Sequence, residues 1–210
     1  LVRGRTLQAI LHDLLEGNEA TKQEHTLSSL LTVFVKVCDA IAFAHSKGIL
    51  HRDLKPENVM VGEFGEVQVM DWGLAKRFRN DDCGMRNEVT EGIVVGDSEF
   101  PNPDSDIGAT LQGSVMGTPQ YMSPEQASGK IDELDETSDI YSLGGILYAI
   151  LTLRPPVEGK TAAEVLEKVT RGEITPPTGW HGRPAHQGAV ADAVLIKPLP
   201  HTPGGRVPLA

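Results

Sequence analysis

The chain has 210 residues, enough for one sizeable core or two small domains and too few for a large multidomain enzyme. Its 19 Lys and Arg against 29 Asp and Glu leave a net charge of −10, which argues against a generic nucleic-acid binder, because such a protein needs a basic face to gain from counterion release. With 40% hydrophobic and 23% charged residues, the composition is that of a chain that folds. No basic start followed by an apolar run marks a signal peptide at Leu1. The longest apolar stretch, Ile140 to Leu153, is broken by Ser142, Gly144, Gly145 and Thr152 and falls short of the roughly 20 residues a span needs, so no membrane span is expected. Cys38 and Cys83 make no disulfide framework and have no zinc-ligand spacing, which favours a reducing, cytoplasmic setting.

Taken in chain order, Thr6 can cap a helix whose apolar positions Leu7, Ile10, Leu11, Leu14 and Leu15 recur at helical spacing until Gly17. Leu30, Phe34, Val37, Ile41 and Ala44 carry a second amphipathic helix, with Gly48 suited to the left-handed position beyond its end and Cys38 inside it as a small core residue. Val59-Met60-Val61 and Glu66-Val67-Gln68-Val69-Met70, joined across Gly62-Glu63-Phe64-Gly65, read as a β-hairpin, and strands are scarce elsewhere. Ile140 to Leu153 is apolar on nearly all sides, which predicts a helix buried at the middle of the domain and ended by Pro155-Pro156. Thr161 and Glu164 stand in capping-box relation ahead of Val165, Leu166 and Val169, which predicts a further helix stopped by Gly172. Arg79 to Val115 lacks periodicity and reads as a long loop, while 7 of the 14 prolines fall in the last 35 residues, too many for helices.

The chemistry concentrates between the second helix and the end of the hairpin. His51-Arg52-Asp53-Leu54-Lys55-Pro56-Glu57-Asn58 precedes the hairpin, whose last strand runs into Asp71-Trp72-Gly73, with Asp71 18 positions after Asp53. An Asp, a Lys and an Asn on one loop, with a second Asp delivered by a strand, can converge on a metal-bound polyphosphate. Carboxylate and amide oxygens suit Mg²⁺, Lys55 can supply a point charge to a phosphoryl group, and Asp53 can accept the proton of an attacking hydroxyl.

HRDLKPEN, DWG in place of DFG, Gly117-Thr118-Pro119-Gln120-Tyr121-Met122-Ser123-Pro124-Glu125, and Ser138-Asp139-Ile140-Tyr141-Ser142-Leu143-Gly144 together resemble, in order, the motifs of a protein-kinase domain. LKPEN resembles serine/threonine kinases, and the MDWGLAK and SPEQA phrasing resembles bacterial eukaryotic-like members. The resemblance implies an α+β fold, a mainly helical C-terminal lobe with a short β-hairpin carrying the metal-binding Asp. It implies Asp53 as catalytic base, Lys55 at the γ-phosphate, and Asn58 and Asp71 as Mg²⁺ ligands. Thr118 would bridge toward Asp53 and Lys55, Met60 would floor the adenine pocket, and Glu57 would face substrate or ribose. ATP and Mg²⁺ are the implied cofactors and a protein Ser/Thr hydroxyl the implied substrate. Asp139 would support the backbone of the catalytic loop, and His51 would hold that loop in place. Trp72 would serve as packing. Glu125 has no identifiable arginine partner. Arg52 beside Asp53 marks kinases whose activation loop is ordered by phosphorylation, which makes Thr110 and Ser114 candidate autophosphorylation acceptors.

Leu1-Val2-Arg3-Gly4 resembles the end of the kinase hinge, and no G-x-G occurs anywhere in the 210 residues. The expectation is therefore a partial kinase domain over 1–177, with an activation segment at about 71–125, lacking its N-terminal lobe and last helices. Residues 178–210 would form a Pro/Gly-rich tail, and the isolated chain would be inactive or nearly so. The alternative is a catalytically silent, kinase-like binding or scaffold module, which the retention of Asp53, Asn58 and Asp71 disfavours. A small-molecule kinase is weaker still, because Ser123-Pro124-Glu125 belongs to peptide-docking kinases.

Overall fold

A computed structural model describes residues 4–77 and 119–176. Its elements are β1 (Gly4–Thr6), α1 (Leu7–Leu15), α2 (Glu19–Glu24), α3 (Leu27–Ser46), β2 (Ile49–Leu50), β3 (Val59–Gly62), β4 (Val67–Val69), β5 (Lys76–Arg77), α4 (Pro124–Ala127), α5 (Glu136–Thr152) and α6 (Ala162–Thr170). Thr110, Ser114, Thr118 and the tail beyond residue 177 lie outside the described residues.

The helix starts follow from side-chain oxygens that satisfy the free N–H groups of the first turn. Thr6 Oγ1 accepts from Ala9 N–H at 3.2 Å, and Thr161 Oγ1 accepts from Glu164 N–H at 3.2 Å. The return half of the second cap is shifted by one residue: the Glu164 carboxylate accepts from Lys160 N–H at 2.8 Å instead of from Thr161. Gly48, at φ +69°, turns the chain out of α3 in the left-handed conformation that glycine adopts without steric cost. The short α2 has no apolar stripe to announce it. It is fastened by Thr21, whose hydroxyl donates to Asp13 Oδ2 (3.2 Å), a carboxylate that also takes the Arg5 guanidinium (2.5 Å).

The hairpin forms in the register Val59↔Val69, Met60↔Gln68 and Val61↔Val67. Strands are less scarce than expected, however. β1 pairs antiparallel with the other edge of β3, making a three-stranded sheet of order β1-β3-β4. Here Gly4 faces Gly62, and any Cβ on Gly4 would collide with the Val61 carbonyl. A separate two-stranded ribbon pairs Ile49 with Arg77 and Leu50 with Lys76. It ties the chain just before HRD to the chain just after DWG. Strands of two or three residues are too short for alternation to reveal, and their pairing is non-local.

One apolar core joins α1, α3, the sheet and α5 through Leu7, Ile10, Val37, Ile41, Val59 and Ile146, among others. The outcome for α5 differs from expectation at its start. The helix begins at Glu136, capped by Asp135, and Ile140 is 50% exposed, because only one face of the first turns meets the core. The longest apolar helix is also not α5. Among the described residues α3 alone has the length and hydropathy of a membrane span, but Leu30, Val33, Val37, Ile41 and Ala44 face the core while Ser28, Thr32, Lys36, Asp39 and Ser46 are exposed, together with Val35 and Phe43. That is the amphipathic pattern of a core helix.

Ile146→Ala removes a side chain with no exposure and is expected to cost about 2–5 kcal/mol in urea unfolding. Ile140→Ala, on the same helix, should stay within about 0.5 kcal/mol of the parent.

Candidate active site

The loop 51–55 leaves β2 at the centre of the molecule, where its backbone has no strand or helix to pair with. A buried carboxylate takes that role. Asp139, in the first turn of α5 and 1% exposed, accepts the N–H of His51 on Oδ2 (2.8 Å) and the N–H of Arg52 on Oδ1 (2.8 Å). Its Oδ2 also meets His45 Nε2 from α3 at 2.8 Å. Arg52 sits at φ +70°, and its carbonyl accepts from Gln126 Nε2 at 2.7 Å, so both backbone groups of this strained residue are held. Leu54, 2% exposed, anchors the loop in the core and leaves Asp53 and Lys55 on the open side.

Asp53, Lys55 and Asn58 form one knot. Lys55 Nζ lies 3.0 and 2.7 Å from the two carboxylate oxygens of Asp53. Asn58 Nδ2 donates to the Asp53 carbonyl (2.8 Å) and to its Oδ2 (3.0 Å). Two acceptors at the amide nitrogen fix its orientation, and Asn58 Oδ1 takes no part in the bonds to Asp53. Asp71 is tied to the same place through its neighbour, because Met70 N–H donates to the Asn58 carbonyl at 2.8 Å. Asp71 itself is exposed, with φ +60° and ψ +63°.

His51 joins these parts. Its side chain has no exposure, its Nε2 donates to the Met70 carbonyl (2.9 Å), and its Nδ1 accepts from Asp53 N–H (3.3 Å). This pattern requires the neutral imidazole with its proton on Nε2. Burial pushes the imidazole pKa below its ordinary value, against the opposing pull of the Met70 carbonyl and of the charges on Asp139, Asp53 and Asp71. The Trp72 ring lies 4.5 Å from the His51 ring, centroid to centroid, at 60°.

Residues 2–181 match the sequence model of the protein kinase domain. The chain belongs to the protein kinase family. Among its relatives are the serine/threonine-protein kinase PknD of Protochlamydia amoebophila, 40% identical over 180 residues (84% of this chain), and PknD of Chlamydia abortus, 36% identical over 168 residues (78% of this chain). The serine/threonine-protein kinase PknB of Mycobacterium tuberculosis is 34% identical over 207 residues, 98% of this chain. The matches span 17% of each PknD and 27% of PknB.

Within this chain, Asp53 is hydrogen-bonded to both Lys55 and Asn58, and Asp71 is joined to them through the Met70–Asn58 backbone bond. Met60 is half-buried at the middle of β3, on the face opposite Val59 and Val61. Glu57 turns away from the knot and lines a cavity of about 320 Å³ with Gln8, His12, Gln120 and Tyr121; its Oε2 is buried without a hydrogen-bond partner among the described residues. Burial and the Glu57 carboxylate together raise the pKa of the Tyr121 phenol. Two participants were not evident in the sequence. Glu125 has a partner after all in the Ser138 hydroxyl, which donates to its Oε1 at 2.6 Å. Gln126 closes a capping box with Ser123 and also reaches the Arg52 carbonyl. Ser123-Pro124-Glu125-Gln126 carries the S-x-x-Q signature from which the first of these roles could have been read.

The lowered His51 pKa means the unfolded chain binds more protons than the folded one below about pH 6.5, so this contribution to stability is present above that pH and lost as pH falls. The melting temperature of the parent should therefore drop more steeply between pH 7 and 5.5 than that of His51→Gln, whatever the offset between them. Thermal unfolding across that range checks the difference in slope.

Proposed function

We propose that this chain carries the phosphoryl-transfer site of a serine/threonine-protein kinase, moving the γ-phosphate of ATP to a Ser or Thr hydroxyl of a protein in the cytoplasm. The observation that supports this best is the Asp53–Lys55–Asn58 knot with Asp71 tied to it through Met70. The names of the PknD and PknB relatives point the same way.

The donor set fits Mg²⁺: both Asn58 bonds to Asp53 use the amide nitrogen and not its oxygen, and Asp71 is an exposed carboxylate residue two positions beyond β4. Bound Mg²⁺ and ATP supply a phosphoryl group whose charge is partly neutralised. In this reading Asn58 and Asp71 hold the metal, and Lys55 sets a positive charge beside the transferring phosphate. Asp53 accepts the proton of the attacking hydroxyl as its oxygen bonds to phosphorus and ADP leaves. Met60 is assigned to the floor of the adenine pocket, and Thr118 to bridging Asp53 and Lys55. Glu57, whose buried Oε2 has no hydrogen-bond partner among the described residues and which lines a cavity, is assigned to face the substrate or the ribose. Arg52 Nε is likewise buried without a hydrogen-bond partner among the described residues, and burial disfavours its charged form. A phosphate on the activation segment, at Thr110 or Ser114, would pair with it, which supports autophosphorylation as the means of ordering that segment.

No G-x-G loop occurs in the 210 residues, and positioning supplies most of the catalysis in phosphoryl transfer, so we assign slow or absent turnover to these residues by themselves. The test combines two measurements on the 210-residue chain. Titration with Mg²⁺ and ATP should perturb the backbone resonances of Asn58 and Asp71, and Asp71→Asn should remove the effect. Peptide phosphorylation should stay at background. Perturbation confined to other regions would contradict the site, and turnover abolished by Asp53→Asn would contradict the assignment of silence.

A further inference from the structure

At the position where the protein-kinase motif carries Phe, this chain has Trp72, and the exchange adds an indole N–H to the aromatic ring. That N–H donates to the carbonyl of Val69 at 3.1 Å, a bond from one side of Asp71 to the other. Asp71 holds φ +60° and ψ +63°, a left-handed conformation that aspartate visits more readily than most non-glycine residues but still at a cost that local contacts must offset. The sheet does not do so, since β4 ends at Val69. Beyond that point, besides the Ala75 N–H bond to Trp72 O that closes the following turn (3.0 Å), three hydrogen bonds outside the strand ladder fasten the residues flanking Asp71. Met70 N–H donates to Asn58 O (2.8 Å), His51 Nε2 donates to Met70 O (2.9 Å), and the Trp72 indole donates to Val69 O. The first two fix Met70, and the third reaches across Asp71. The indole is in turn seated on the ring of His51, a side chain with no exposure.

We propose that Trp72 is a positioning residue: its indole N–H staples the chain across Asp71, holds that residue in the left-handed conformation, and so aims its carboxylate at the site shared with Asn58. Metal affinity then depends on a hydrogen bond that phenylalanine cannot make, which rests on Asp71 being a metal ligand as proposed above. Packing alone would ask only for an aromatic ring, whereas this role asks for the donor. Loss of one neutral hydrogen bond changes an equilibrium by roughly two- to tenfold.

The test uses the 210-residue chain with two variants, Trp72→Phe and Trp72→3-benzothienylalanine. The second keeps the bicyclic shape and replaces the N–H with sulfur, so it carries the test even if the first folds poorly. In the metal-free chain, hydrogen exchange over Asp71–Ala75 should quicken by about two- to tenfold in both, with the amides of the β3–β4 ladder unchanged. Mn²⁺ titration followed by electron paramagnetic resonance should show affinity weakened by a similar factor at an unchanged melting temperature. A benzothienylalanine variant that matches the parent in both readouts overturns the staple. Faster exchange with unaltered Mn²⁺ affinity overturns the positioning role and leaves a structural one. Asp71→Asn separates the two layers: if it leaves Mn²⁺ binding intact, the metal reading of Asp71 fails, while exchange in the metal-free chain still decides whether the indole holds Asp71.

Discussion

The carboxylate of Asp139 accepts hydrogen bonds from the backbone N–H groups of two consecutive residues, His51 and Arg52, and meets His45 from a third direction. Each N–H has its own carboxylate oxygen, His51 on Oδ2 and Arg52 on Oδ1, and the chain turns immediately after the second of these bonds, at the positive φ of Arg52. A buried carboxylate left without such partners would be costly, and two buried N–H groups left without it would be costly as well, so each side requires the other. The arrangement joins α3, α5 and the loop 51–55 at one point. Because Leu54 enters the core immediately afterwards, the turn decides that Asp53 and Lys55 emerge together on the open side.

From that point the order propagates along a short chain of contacts. His51, held by Asp139 through its backbone, uses its ring to bind the Met70 carbonyl and the Asp53 N–H. Asn58 binds Asp53 with its amide and Met70 with its carbonyl. The loop before the hairpin and the residues after it are therefore cross-linked twice, and the β2–β5 ribbon adds a third link farther out. Asp53 on the loop and Asp71 two residues beyond β4, 18 residues apart in sequence, are thus held in one frame. The neutral state of His51 matters here, because a protonated Nδ1 could not accept from Asp53 N–H.

How much of this was legible beforehand depended on whether the physical cause was local. The helices α1, α3 and α6 and the hairpin were readable, because apolar spacing, Thr caps and glycine stops act within a few residues. The grouping of Asp53, Lys55 and Asn58 was readable from their spacing on one loop and their resemblance to a kinase motif. The support of that loop by Asp139 was readable only from the resemblance, since nothing local connects residues 87 and 88 positions apart. β1, β2 and β5 were missed because their partners are distant and their lengths too short for alternation. The exposure of Ile140 was missed because apolar content says which residues can be buried and not where a helix enters the core. Ser138 as a partner of Glu125 went unseen because the two stand 13 residues apart and no local motif pairs them. The consequence of Trp72 lay in a single N–H, which the sequence shows as an aromatic substitution and the structure as a hydrogen bond.

The central claim is that the Asp139 carboxylate holds the loop 51–55 in its turned conformation. Asp139→Asn tests it most directly, since the amide keeps the size of the side chain but loses the charge and one of its two acceptor oxygens. Hydrogen exchange of the His51 and Arg52 amides is the measurement, because hydrogen bonds to a charged acceptor contribute about 1.5–3 kcal/mol, equivalent to roughly 10- to 100-fold in exchange. The account predicts acceleration of that size at these two amides, with the interior amides of α5 left near their parent rates. Parent-like exchange at His51 and Arg52 in the variant would contradict it.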